Sequence, residues 1–188
     1  MSMNLSKIKF ELSMIICVFI LFSSTLSLES DSLRSLTENG YLDYFALRFV
    51  HSGLCLDAEK NATHHGGKII QYNCHQWDNQ LLHFSLQKDG FFIIEFKHSG
   101  KVLEVKDGSH NNGEIIHQAD KNYGDSQKWH IDIRDVASDH GWTAHIRLKN
   151  KRSNKCLEIR GASTNVGQEV IQWDCNEGNN QRFTFFWR

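Results

Sequence analysis

The chain has 188 residues, 40% of them hydrophobic, a formal net charge of −1, 11 histidines and no proline. That length suits one domain that buries a substantial core without relying on metals. A near-neutral balance with no basic block argues against nucleic acid as a partner.

Lys7 and Lys9 precede the apolar run Leu12 to Phe22, and small residues fill Ser23 to Ser27. This is the order of a secretory signal peptide over residues 1–27, with cleavage after Ser27. The run of 11 residues falls short of the roughly twenty that cross a bilayer. The expected mature chain is therefore secreted, extracellular and without a membrane span. Cleavage removes Cys17 and leaves 5 − 1 = 4 cysteines, an even number suited to an oxidising compartment. It also removes two lysines and one glutamate, so the formal charge becomes −1 − (2 − 1) = −2. Residues 28–42 read as a loose N-terminal segment.

From residue 43 the chain repeats itself. Residues 55–74, CLDAEKNATHHGGKIIQYNC, return at 156–175 as CLEIRGASTNVGQEVIQWDC. An offset of 101 carries Cys55, Asp57, Gly66, Gln71, Tyr72, Cys74, Asn79, Gln80 and Phe84 onto Cys156, Glu158, Gly167, Gln172, Trp173, Cys175, Asn180, Gln181 and Phe185 without a gap. A weaker middle copy follows at an offset of 47, where the HSG of His51 to Gly53 recurs at His98 to Gly100, Asp57 becomes Glu104 and Gln80 becomes Gln127. On this alignment the copy loses one residue before Gly113 and gains one before Gln127. The copies span about 43–88, 89–137 and 138–187, the size of repeated supersecondary units that bury their apolar faces together.

Each copy reads as β. Leu47 and Phe49, then Ile94 and Phe96, alternate at the start; Ile69-Ile70, Ile115-Ile116 and Val170-Ile171 are short apolar runs. The copies close on Gln80, Leu82, Phe84, on Gln127, Trp129, Ile131 and on Gln181, Phe183, Phe185, a polar residue followed by two core side chains on one face. Asp89-Gly90, Asp107-Gly108, Asn112-Gly113 and Glu177-Gly178 mark turns, expected to be left-handed in a chain without proline. His64-His65 is the only adjacent histidine pair, and no Cys-x-x-Cys or His-Glu-x-x-His accompanies it. We therefore expect surface histidines, no metal and no cofactor. Asn61-Ala62-Thr63 is an acceptor for N-glycosylation on a secreted chain.

Three copies closing on QLL, QKW and QRF, two of them opening on Cys-Leu-acid, resemble the ricin B-type lectin family over residues 43–187. The resemblance implies an all-β β-trefoil: three four-stranded units about a pseudo-threefold axis, with shallow sugar pockets of up to one per unit. It places Asp57 and Tyr72 in one pocket with Asn79 and Gln80, and Glu158 and Trp173 in another with Asn180 and Gln181. The chemistry suits a sugar, whose hydroxyls donate to a carboxylate and whose C–H face lies on a ring. The glutamines are expected to be mainly structural and the rings mainly to contact ligand. Equal spacing, 74 − 55 = 175 − 156 = 19, pairs Cys55 with Cys74 and Cys156 with Cys175.

The chain also departs from the family. Glu104 and Glu158 replace the usual Asp, and Gln71-Tyr72 and Gln172-Trp173 stand where Gln-x-aromatic is usual, so alternation puts the glutamine and the ring on opposite faces unless a bulge intervenes. In the middle copy Gln118 or Ala119 takes the ring position, Ser126 the asparagine, and Val102 and Asp120 the cysteines, which leaves a scaffold unit with Tyr123 as its one nearby ring. The expected function is a secreted lectin that is not an enzyme and binds glycans on glycoproteins or polysaccharides through the first and third units. The alternative is a secreted trefoil that binds a protein partner without sugar.

Overall fold

The chain's structure, a computed structural model, describes residues 44–134 and 145–186. The expected signal peptide, the segment 28–42 and the boundary between the second and third copies lie outside the described residues. Twelve strands follow one another: β1 Ala46–Phe49, β2 Cys55–Ala58, β3 Gly67–Tyr72, β4 Leu82–Leu86, β5 Phe92–Phe96, β6 Val102–Val105, β7 Ile116–Ala119, β8 Lys128–Ile133, β9 Ile146–Asn150, β10 Cys156–Ile159, β11 Val170–Trp173 and β12 Phe183–Phe186. Every unit contributes four strands, as expected.

Six strands close into a barrel. β1 pairs with β12, β12 with β9, β9 with β8, β8 with β5 and β5 with β4, and the bridge from Phe45 to Leu82 completes the ring. The hairpins β2–β3, β6–β7 and β10–β11 cover one end. Closure removes the exposed sheet edge that would otherwise template aggregation. The alternating apolar positions point inward and meet: Leu47, Phe49, Leu82, Ile94, Phe96, Trp129, Leu148 and Phe183 from the barrel, with Leu56, Leu103 and Leu157 from the hairpins, are fully buried. Phe84, Ile131 and Phe185 pack against them.

The middle copy needs no gap, which corrects the sequence alignment. Glu104 stands opposite His117 just as Asp57 faces Ile70 and Glu158 faces Ile171. The constant offset of 47 places Ala119 at the ring position and moves the second cysteine position from Asp120 to Lys121. One substitution is compensated by its neighbour: Asn150 occupies the site of Phe49 and Phe96, opposite Trp129, which outsizes Leu82 and Phe183. Asn150 is satisfied, donating to the carbonyls of Ser126 and Lys128 and accepting from the backbone N–H of Arg152 and Ser153. The Trp129 indole donates to the Leu103 carbonyl at 3.0 Å.

The units are hooked together by buried glutamines one residue before the ring position. Gln71 donates to the carbonyls of Ser163 and Asn165 at 2.8 Å, reaching from unit 1 to unit 3. Gln172 reaches the carbonyls of Ser109 and Asn111 in unit 2 at 2.9 Å, and Gln118 reaches Ala62 in unit 1. A serine three residues before each unit's second strand caps the glutamine carbonyl: Ser52, Ser99 and Ser153. The receiving turns hold non-glycine residues in the left-handed region, Lys60 and Asn61, Asp107 and Ala162 among them. His51 and His98 also bond to these turns, at the carbonyls of Ser163 and Ala62. His117 is buried, so the histidines are not merely scattered over the surface.

Of the expected left-handed turns, Gly90, Gly108 and Gly113 have positive φ. Gly178 does not, at φ −68. Its lack of a side chain has a steric cause: a Cβ there would lie 2.8 Å from Asn176 Oδ1 and collide with Asn180 Oδ1. The disulfides Cys55–Cys74 and Cys156–Cys175 are formed, with Cα separations of 5.1 and 5.0 Å.

Candidate functional site

Each capping hairpin carries an acid on its first strand, gripped by the glutamine in the turn just ahead of the unit's last strand. In unit 1, Gln80 Nε2 donates to Asp57 Oδ2 at 2.8 Å and to the Asn73 carbonyl at 2.9 Å, and Gln80 Oε1 accepts from the N–H groups of His75 and Gln76. Gln181 holds Glu158 Oε2 at 2.7 Å and the Asp174 carbonyl at 2.9 Å, and accepts from Asn176 N–H. Gln127 does the same for Glu104 Oε2 at 2.6 Å, with the carbonyl of Asp120 and the N–H groups of Asn122 and Tyr123. All three glutamines are fully buried with both donor hydrogens engaged. Their work is to fix a carboxylate and a turn.

The rings lie across the same hairpins. Cys55 pairs with Tyr72 and Cys156 with Trp173, and both rings face solvent, at 40% and 42% exposure, while Gln71 and Gln172 point inward. The opposite-face arrangement expected from strand alternation holds without a bulge. In the middle unit the partner of Val102 is buried Ala119. Ser126 and Gln127 engage both oxygens of Glu104 there. An acid and a ring therefore sit diagonally on one face of the hairpin in units 1 and 3, the ring opposite the cysteine two residues before the acid, and the middle unit has the acid alone.

Asp57 is 3% exposed and Glu158 is 5% exposed, so each offers only a narrow edge. Burial pushes both carboxyls above the usual carboxylate range; hydrogen bonds from Gln80 and Asn79 oppose the rise at Asp57, and those from Gln181 and Asn180 oppose it at Glu158. Asn79 is buried and donates to the Ala58 carbonyl at 3.1 Å. Asn180 is half-buried.

Two residues missed in sequence complete the first unit. His75 Nδ1 accepts from the Trp77 N–H at 3.1 Å, and its Nε2 lies 3.4 Å from Asp57 Oδ2 and 3.1 Å from Gln80 Nε2. The His75 ring stands 6.0 Å from Tyr72 and 4.5 Å from Trp77. The signal was present in the repeat: the same offsets carry His75 onto Asn122 and Asn176, whose Oδ1 atoms accept from the N–H two residues on, at Gly124 and Gly178. Asn61 is exposed in the turn Glu59–Asn61.

The family model described as a ricin-type beta-trefoil lectin domain-like domain matches residues 33–119, 78–145 and 125–187. Among solved structures, a designed threefold-symmetric protein, ThreeFoil, is 33% identical with a TM-score of 0.70, covering 76% of this chain and 96% of that one. The ricin B-like lectin of Macrolepiota procera, solved with lactose, is 23% identical with a TM-score of 0.62 over 77% of this chain and 94% of that one. The C-half of an earthworm R-type lectin, solved with GalNAc, is 18% identical with a TM-score of 0.56 over 76% of this chain and 97% of that one. No curated protein matches the sequence.

Proposed function

Because the chain belongs to the ricin-type beta-trefoil lectin domain-like family, we propose that it is a secreted lectin with pockets in its first and third units. The observation that carries this is a clamped, buried carboxylate and a half-exposed ring set diagonally on one face of the same hairpin, Asp57 with Tyr72 and Glu158 with Trp173. The carboxylate accepts from sugar hydroxyls and the ring covers a C–H face; Asn79 and Asn180 hold the acid's flank, and Gln80 and Gln181 act through the acid. The proposed activity is binding: among the described residues each of the three hairpin acids is held by a glutamine of its own unit, rather than paired with a second acid across a bond as in glycoside hydrolysis. Terminal galactose and N-acetylgalactosamine are the first candidates, given the lactose and GalNAc held by the two lectins above. A secreted destination is supported by the disulfides and by the signal-peptide pattern. Among the described residues no helix is long and apolar enough to cross a membrane.

One shallow site gives roughly millimolar affinity, so two sites would act together on glycoproteins or polysaccharides. A glycan array on the parent, Tyr72→Ala, Trp173→Ala and the double variant tests the proposal. Each single variant should keep monosaccharide binding at its intact site and lose most of its multivalent signal, and the double variant should lose both. A folded double variant that binds as the parent does, or array binding that free sugar fails to compete, would sink the lectin reading; the second outcome would favour a protein partner.

A further inference from the structure

We infer that the first pocket continues into a second subsite built on Trp77, so that unit 1 recognises a disaccharide or longer glycan while unit 3 takes a single terminal sugar. The inference rests on the sugar-binding reading of Asp57 and Tyr72 and extends it along the rim. Trp77 is 65% exposed, more than any other large apolar side chain among the described residues. An indole so placed leaves apolar surface in water unless something covers it.

The ring is held on an ordered turn. The Trp77 N–H donates to His75 Nδ1 at 3.1 Å, its carbonyl accepts from the Gln80 N–H at 2.8 Å, and Gln76 before it adopts the left-handed φ of 59. Gln80, whose side chain clamps Asp57, therefore also fixes Trp77 through its backbone N–H, and one residue ties the acid to the outer ring. His75 fills the space between Tyr72 and Trp77, giving a strip of three rings whose centroids step by 6.0 and then 4.5 Å. A glycan chain whose terminal residue lies on Tyr72 would bring its next residue over His75 and Trp77. Stacking is tolerant of sugar identity, so this subsite would read chain length more than stereochemistry.

The other units cannot form such a strip. Gly124 and Gly178 stand at the position of Trp77, and a Cβ at either would lie 2.8 Å from the Oδ1 of Asn122 or Asn176. Replacing His75 by asparagine thus selects glycine two residues on.

The test uses calorimetric titration of galactose, N-acetylgalactosamine and lactose into the mature protein. Trp173→Ala isolates unit 1 and Tyr72→Ala isolates unit 3. Lactose should bind Trp173→Ala about three- to tenfold more tightly than galactose, with a blue shift of indole emission, and Tyr72→Ala should bind the two alike. Adding Trp77→Ala to Trp173→Ala should abolish both the lactose gain and the shift while leaving galactose affinity within about twofold. Equal affinity for galactose and lactose at unit 1, or a gain that survives Trp77→Ala, overturns the subsite and leaves the primary pocket standing. Failure of all three sugars to bind the parent overturns the galactoside reading and the subsite with it.

Discussion

Replacing Gln80 by alanine separates what the clamp does for the fold from what it does for the pocket. Gln80 makes a bond to the Asp57 carboxylate at 2.8 Å, a bond to the Asn73 carbonyl at 2.9 Å, and accepts two N–H groups at 2.9 and 3.1 Å. The charged bond is worth about 1.5–3 kcal/mol and each neutral one about 0.5–1.5 kcal/mol. Water entering the vacated space recovers part of that sum, which leaves a loss of about 3–4 kcal/mol. A domain with about 5–15 kcal/mol of stability remains folded. Gln127→Ala removes an equivalent set, at 2.6, 2.8, 2.8 and 3.2 Å, and should cost the same in urea denaturation. The two variants should part company in binding. In the Trp173→Ala background Gln80→Ala frees the Asp57 carboxylate and weakens the first site about tenfold or more, whereas Gln127→Ala leaves it unchanged. A loss below about 1 kcal/mol for both, or an unchanged first site in folded Gln80→Ala, would refute the assignment of the glutamine as the group that orients the acid.

Cys55→Ala with Cys74→Ala should lower unfolding stability by about 3 kcal/mol, since the bridge closes a loop of about twenty residues; a midpoint unchanged in denaturant would contradict this. Burial raises the carboxyls of Asp57 and Glu158 above their ordinary values of 3.8 and 4.5. Sugar affinity should therefore fall as pH drops through the raised values, while these same groups contribute more to stability over that window, because the folded state holds their protons more tightly; affinity constant down to the ordinary carboxylate range would refute it. Asn61, exposed beside the first hairpin, should carry a glycan when the chain is secreted from a eukaryotic cell, visible as a mass shift absent in Asn61→Gln. The unglycosylated variant should bind sugar as well as or better than the parent, and clearly weaker binding by the folded variant would show that the loop does not shade the pocket.

The trefoil and both acid and ring pairs were legible because they depend on spacing that the repeat states twice. Cys55, Asp57 and Tyr72 recur with identical separations at Cys156, Glu158 and Trp173, and strand pairing converts those separations directly into neighbouring places on one face of a hairpin. The middle copy was harder: without cysteines to anchor it, the alignment placed gaps that the pairing of Glu104 with His117 removes. The hooks from Gln71, Gln118 and Gln172 were out of reach, because their partners are backbone carbonyls in another unit, at separations of 92, 56 and 63 residues. Carbonyls carry no residue identity, so a sequence does not mark them. His75 and Trp77 were overlooked for a different reason: they are where unit 1 departs from its siblings, and a search for repetition discounts departures.

The glutamine hooks run head to tail, from unit 1 to unit 3, from unit 3 to unit 2 and from unit 2 to unit 1. In the language of assemblies this is a heterologous contact whose rotation closes after three steps, drawn along one covalent chain. A unit cut out alone would expose a donor amide on one side and an empty carbonyl turn on the other, and neither could satisfy its own partner. Such a fragment has one economical way to bury both, which is to meet two more copies of itself. The three-unit chain is thus a ring-shaped trimer with its subunits fused, and its concentration dependence of assembly has been traded for the length of its linkers.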